Sequence, residues 1–146
     1  MIFIIVLVIL SLDQFCKFLV TRNLTLSQSL PVIKGVFHIT LVHNTGAAFG
    51  ILKNQIPLFI MTAVLAIAMI FLNLRCNKHK KLYSISLSLI LAGALGNLID
   101  RIFFGYVIDF LDFRIWPVFN VADSAITIGA IMLGINLLKP AKKKLI

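Results

Sequence analysis

Four apolar stretches decide what this sequence can fold into. Residues about 1–21, 56–74, 82–104 and 120–138 carry few charges, and each approaches the roughly 20 residues that a helix needs to cross the hydrocarbon core of a bilayer. Backbone amides in hydrocarbon must be paired within their own segment, so all four stretches are predicted as membrane-spanning helices. Composition points the same way. Of 146 residues, 60% are hydrophobic and 13% charged, with a mean hydropathy of +1.05, which excludes an ordinary soluble domain. The length is that of a single domain, here taken as residues 1–146.

The first stretch begins M-I-F-I-I-V-L-V-I-L. A cleaved signal peptide would want a basic start and a small-residue cleavage site. Neither is present, and Asp13 and Lys17 interrupt the apolar run, so a retained helix is expected. L-D-Q-F-C is not a lipid-attachment box, because the residues before Cys16 are not small. Asp13 and Lys17 stand four apart on one helix face, where they can neutralise each other as a structural pair. Cys16 and Cys76 fall near opposite ends of the first two stretches, too far apart for a disulfide.

Residues about 23–55 differ in character. Pro31, Gly35, Gly46 and Gly50 punctuate them, and V-F-H-I-T-L-V is rich in β-branched and aromatic residues, a strand signal. N-T-G at Asn44 to Gly46 reads as a turn. The expectation is a small β-structure on the membrane surface, with Phe37 and Phe49 partly immersed. His38 and His43 have no third ligand spaced to join them and are read as surface residues. The fold class expected is an all-α membrane protein: a four-helix transmembrane bundle with a small extracytoplasmic β-cradle between helices one and two.

The net charge of +9 does not mark a nucleic-acid partner, because the basic residues flank apolar segments. Arg75, Lys78, Lys80 and Lys81 separate stretches two and three, and Lys139, Lys142, Lys143 and Lys144 follow stretch four. The positive-inside rule puts both clusters in the cytoplasm, and an even number of crossings puts both termini there. The connections of about 23–55 and 105–119 then face outward.

All five acidic residues are aspartates, and four of them converge under this topology. Asp13 lies past the midplane of helix one, at about 1.5 Å of rise per residue. Asp100 is near the outer end of helix three, Asp109 in the outer connection, and Asp123 in the first turn of helix four. Carboxylates at the edge of hydrocarbon cost several kcal/mol unless paired or solvated, which marks them as functional candidates. On helix three, Gly93, Gly96, Asn97 and Asp100 share one stripe. On helix four, Asn120, Asp123, Ser124 and Thr127 do so too. Small and polar stripes are also how membrane helices pack, which accounts for the glycines better than for Asp123.

No Ser-Lys pair, Cys-His pair or zinc ligand set stands near the outer face, so no metal or cofactor is expected. Paired carboxylates remain. Two that share a site cannot both ionise easily and hold one proton between them. The ionised member can take a proton from water while the protonated one bonds a peptide carbonyl. Arg101 adjoins Asp100 and is expected to hold it ionised. Asp109 sits among Val107, Ile108, Phe110 and Leu111, where its pKa should rise. Asp123 lies at a helix N-terminus, whose dipole favours charge. Residue by residue, Asp109 with Asp123 is one pairing among several. A small proton-coupled transporter or channel is the alternative. It would place acids at the midplane and toward the cytoplasmic side, where helices two to four carry none.

In these pieces the chain resembles lipoprotein signal peptidases, the signal peptidase II family. D-Q-F-C-K (Asp13 to Lys17), H-N-T-G-A-A-F-G (His43 to Gly50), G-N-L-I-D-R (Gly96 to Arg101), V-I-D-F (Val107 to Phe110) and F-N-V-A-D-S (Phe119 to Ser124) match the family's boxes in order. The resemblance implies that Asp109 and Asp123 form a catalytic pair and that Asn44, Asn97, Asp100, Arg101 and Asn120 line and support it. It implies a diacylglyceryl-modified prolipoprotein as substrate, membrane lipid as surroundings, a bacterial cytoplasmic membrane and a monomer. The linker from Asp109 to Asp123 is a few residues shorter than is common in the family, which bears on any lid helix there.

Overall fold

A computed structural model describes residues 1–46, 52–76 and 81–138. Four helices, α1 (Ile2–Asn23), α2 (Ile56–Cys76), α3 (Lys81–Phe104) and α4 (Val121–Leu138), occupy the four apolar stretches. Each is long and apolar enough to cross a membrane. The architecture is therefore the expected four-helix bundle with a small sheet. Lys78, Lys80, Phe49, Gly50 and the terminal lysines lie outside the described residues.

Helix α3 is the centre of the bundle. It packs on α1, α2 and α4, and over half of its span is buried, against none of α2. The α3 stripe makes this closeness possible. A Cβ on Gly93 would run into the carbonyl oxygen of Ala122 on α4, so only glycine lets the two backbones approach there. The outer faces of α1 and α2 present Phe3, Leu7, Leu65 and Met69, which suits contact with lipid rather than with water.

The sheet has three antiparallel strands in the order β1 (Ser29–Ile33), β2 (Phe37–Asn44), β3 (Val107–Asp112). The first two form an antiparallel hairpin, which supplies the small β-structure expected from 23–55. The third corrects the sequence reading, which treated 105–119 as loop and placed the cradle wholly between helices one and two. Gly105, in the left-handed region at φ 76°, ends α3, a conformation that costs a residue without Cβ little. The chain then re-enters as V-I-D-F, with Val107, Ile108, Asp109 and Phe110 all buried. A strand covered on both faces loses the polar-apolar alternation that marks strands in sequence. Its far side is closed by Phe119, whose carbonyl oxygen accepts from the amides of Phe110 and Leu111 at 2.9 and 2.7 Å. No helix fills residues 113–119. The shortened linker is a tight loop there, fixed by Asp112, which accepts from the Arg114 amide at 2.8 Å and pairs with its guanidinium at 3.1 Å.

Because α1 and α3 end where α2 and α4 begin, β1, β2 and β3 all lie at one end of the bundle. Arg75 and Lys81 lie at the other.

Candidate active site

At the sheet end of the bundle, a buried cluster joins α1, α3, β3 and α4. Lys17 is its hub. The ammonium lies 2.7 Å from both Asp13 Oδ2 and Asp100 Oδ2 and donates to Asn97 Oδ1 at 3.1 Å. Asp13 and Asp100 are fully buried and Lys17 is 2% exposed. A lone charge there would be very costly, so the three hold one another. The expected Asp13–Lys17 pair is present, but Asp100 departs from expectation: its cation is Lys17, not Arg101. Adjacent helix positions do not face each other, whereas α1 presents Lys17 directly to α3.

The two acids in this cluster also position backbone. Asp13 Oδ1 accepts from the Ala122 amide at 2.9 Å, so a side chain of α1 caps the start of α4. Asp100 Oδ2 accepts from the Ile108 amide at 3.1 Å, fixing β3 one residue before Asp109. Gln14, which sequence reading passed over, reaches Asp100 Oδ1 at 3.2 Å. Its signal was its place in the D-Q-F-C-K box, on the α1 face it shares with Lys17 and Thr21.

Asp109 and Asp123 come together through two asparagines. Asn120 Nδ2 donates to Asp109 Oδ1 at 2.7 Å and to Asn97 Oδ1 at 3.1 Å. Asn97 Nδ2 donates to Asp123 Oδ1 at 2.7 Å. Asn120 also caps α4, its Oδ1 accepting from the Asp123 amide at 2.8 Å, a placement typical of this residue type. Asn44 does two things at once. Its Oδ1 accepts from the Gly46 amide, making the turn expected there, while Nδ2 donates to Asp109 Oδ2 at 2.9 Å.

Burial pushes the Asp109 carboxyl up to about 7, and the charge of Asp123 adds to the rise. The amide bonds from Asn44 and Asn120, with the more distant Lys17, oppose it. A carboxyl that exchanges its proton near neutrality is suited to acid-base work.

Both aspartates open onto a cavity of about 1170 Å³. Its polar lining includes Asn44, Arg101 and Lys53. Its apolar lining includes Phe113, Trp116 and Ile126. Arg101 donates to the Gly46 carbonyl oxygen at 3.4 Å, and its guanidinium lies over the Phe59 ring at 4.8 Å, a cation–π contact that joins α2 to α3. Of the seven residues named from the family's boxes, Asn44, Asn97, Arg101, Asp109 and Asp123 line one cavity, while Asn120 bonds Asp109 and Asp100 pairs with Lys17. His43 also lines the cavity, stacked on Tyr106 at 3.9 Å, while His38 stands apart with Ser29.

Comparisons with known proteins agree in one direction. Residues 5–139 match the family described as signal peptidase (SPase) II. The chain is 51% identical over 133 residues to a lipoprotein signal peptidase of Halothermothrix orenii, covering 91% of this chain and 92% of that one. It is 51% identical over 136 residues to one from Moorella thermoacetica, covering 92% and 91%. Among solved structures it is similar to a bacterial membrane enzyme determined by the in meso method, with a TM-score of 0.91 at 33% identity, covering 98% of this chain and 90% of that one.

Proposed function

This chain belongs to the signal peptidase II family, and from that premise we propose that it is an aspartic endopeptidase of the bacterial cytoplasmic membrane. It removes the signal peptide from prolipoproteins whose cysteine carries a diacylglyceryl group, cutting just before that cysteine. The observation that carries this reading is the pair of aspartates, Asp109 from β3 and Asp123 from α4, linked through Asn120 and Asn97 beside one cavity.

Such a pair hydrolyses a peptide bond without a cofactor. The ionised carboxylate takes a proton from water, which attacks the carbonyl carbon, while the protonated partner donates to the carbonyl oxygen. Arg101, Asn44 and Asn97 hold the pair and its walls in place. The apolar lining residues suit acyl chains, and a lipidated cysteine cannot leave the bilayer. A site at the membrane boundary therefore meets its substrate at a fixed depth, which converts binding into positioning. Positive residues at the opposite end of the bundle, Arg75 and Lys81 among them, support an outward-facing sheet and site.

The test is cleavage by purified protein of a diacylated precursor and its non-acylated counterpart. Only the diacylated form should be cut, and Asp109→Asn or Asp123→Asn should each lower the rate by at least about 100-fold, the usual contribution of general acid-base groups. Wild-type-like cleavage by Asp123→Asn would overturn the assignment.

A further inference from the structure

All five acidic side chains of this protein are turned inward. Asp13, Asp100, Asp109 and Asp112 are buried, and Asp123 opens onto the cavity. The sheet end of the bundle therefore shows no carboxylate side chain on its outer surface. Its cations are in the open. Arg22 lies in the last turn of α1, Lys34 at the tip of the β1–β2 turn and Lys53 just before α2, and all three are exposed. Among the described residues none of them pairs with an acid, whereas the half-exposed Arg114 shares Asp112.

Each of these cations has a large apolar neighbour that is also in the open. The Arg22 guanidinium lies over the exposed Phe18 ring at 4.9 Å. Lys34 is held between exposed Ile33 and Val36 by a tight turn. There the Val36 amide donates to the Ile33 carbonyl oxygen at 3.0 Å, and Gly35 takes the left-handed conformation at φ 78°. Lys53 follows Leu52, which is exposed and left-handed at φ 56°. Arg114, at φ 66°, is followed by Ile115, which is 93% exposed, and by Trp116. Left-handed backbone is unfavourable for side chains with a Cβ, and such strain marks places held for a purpose.

Water would suit the cations but not their neighbours, and hydrocarbon would suit the neighbours but not the cations. A lipid boundary suits both, with the apolar group among acyl chains and the charge at the level of the phosphates. We propose that the sheet end docks on anionic phospholipid headgroups of the surrounding leaflet, with Arg22, Lys34 and Lys53 meeting the headgroup charge. The occupant is lipid of the same bilayer, because this surface continues the lipid-facing sides of the helices. Leu19 on α1 and Phe103 and Phe104 on α3 are exposed up to its edge. Docking draws the sheet toward the membrane and sets the height of the cavity mouth, which Lys53, Ile115 and Trp116 line. Lipid charge thereby regulates access to the site, whichever residues carry out the chemistry there.

Trp116 is the single tryptophan of the chain, so its fluorescence reports on this end alone. The full-length protein is reconstituted in phosphatidylcholine vesicles with increasing fractions of phosphatidylglycerol, and quenching by lipids brominated at different depths is measured. Phosphatidylglycerol should move Trp116 deeper, and high salt should reverse the change in the wild type by screening exposed charge. Arg22→Gln combined with Lys34→Gln should raise the fraction of phosphatidylglycerol at half-change by at least about threefold, since each cation near such a surface is worth about fivefold. Arg22→Lys combined with Lys34→Arg should respond as wild type does, and so should Arg75→Gln at the opposite end. Unfolding temperatures in detergent show that each variant is folded, and the salt reversal needs no variant. A Trp116 depth indifferent to phosphatidylglycerol, or a double Gln variant that responds like wild type, overturns the proposal. Shielding of Trp116 that grows with protein density instead of lipid charge also overturns it, because the occupant would then be a second copy.

Discussion

Lys17 sits between Asp13, Asp100 and Asn97, out of reach of water. Lys17→Met should leave two buried carboxylates without their cation and cost about 3–5 kcal/mol, read as a fall in unfolding temperature in detergent. It should also release Asn97, so activity should fall further than stability explains. The Asp109 carboxyl gives a pH prediction. Its folded value of about 7 lies above the ordinary 3.8, so the folded state binds more protons between these values and stability declines as pH rises through about 7. The shared proton is lost over the same interval, so cleavage should also decline as pH rises past 7. Asp109→Asn removes the second charge and should be inactive yet more stable than wild type at alkaline pH. An unfolding series across pH checks both signs.

At the scale of elements, the contact between α3 and α4 sets the spacing of Asn97, Asn120 and Asp123. Gly93→Leu would drive a side chain against the Ala122 carbonyl oxygen and Ile126. Overpacking of this kind costs about 1–3 kcal/mol, but a displacement of about 1 Å at a catalytic group can cost about 100-fold in rate. The variant should therefore insert and fold while losing most of its activity. A ratio of activity loss to stability loss no greater than that of a change on the lipid-facing side of α3, such as Phe103→Leu, would contradict this. The helices were legible in the sequence because hydrocarbon admits few alternatives. The strand β3 was not, because burial on both faces removed its alternation. Nor was the pairing of Asp100 with Lys17, since a neighbour in sequence, Arg101, looked the better partner until helix geometry turned it away. Asp100, Asp109 and Asp123 stand out in the sequence because carboxylates are rare in such surroundings, whereas Asn44, Asn97, Arg101 and Asn120 are named on the family's boxes; the link from Thr40 to Asp112 at 2.7 Å has neither signal.

For the whole molecule, orientation is the testable property. Under the proposed orientation, the β1–β2 turn at Lys34 should face outward and Lys81 inward. In a background lacking Cys16 and Cys76, Lys34→Cys should react with a membrane-impermeant thiol reagent applied to intact spheroplasts, and Lys81→Cys should react only after lysis. The reverse pattern would invert the molecule. The cap that Asp13 places on Ala122 also bears on biogenesis. During synthesis the opening helix enters the bilayer with its own charge pair already matched, then waits for more than a hundred residues to emerge before its acid meets the last helix. A ribosome-arrested intermediate that has not released the helix carrying Asp123 should therefore hold no finished centre and show no proteolysis.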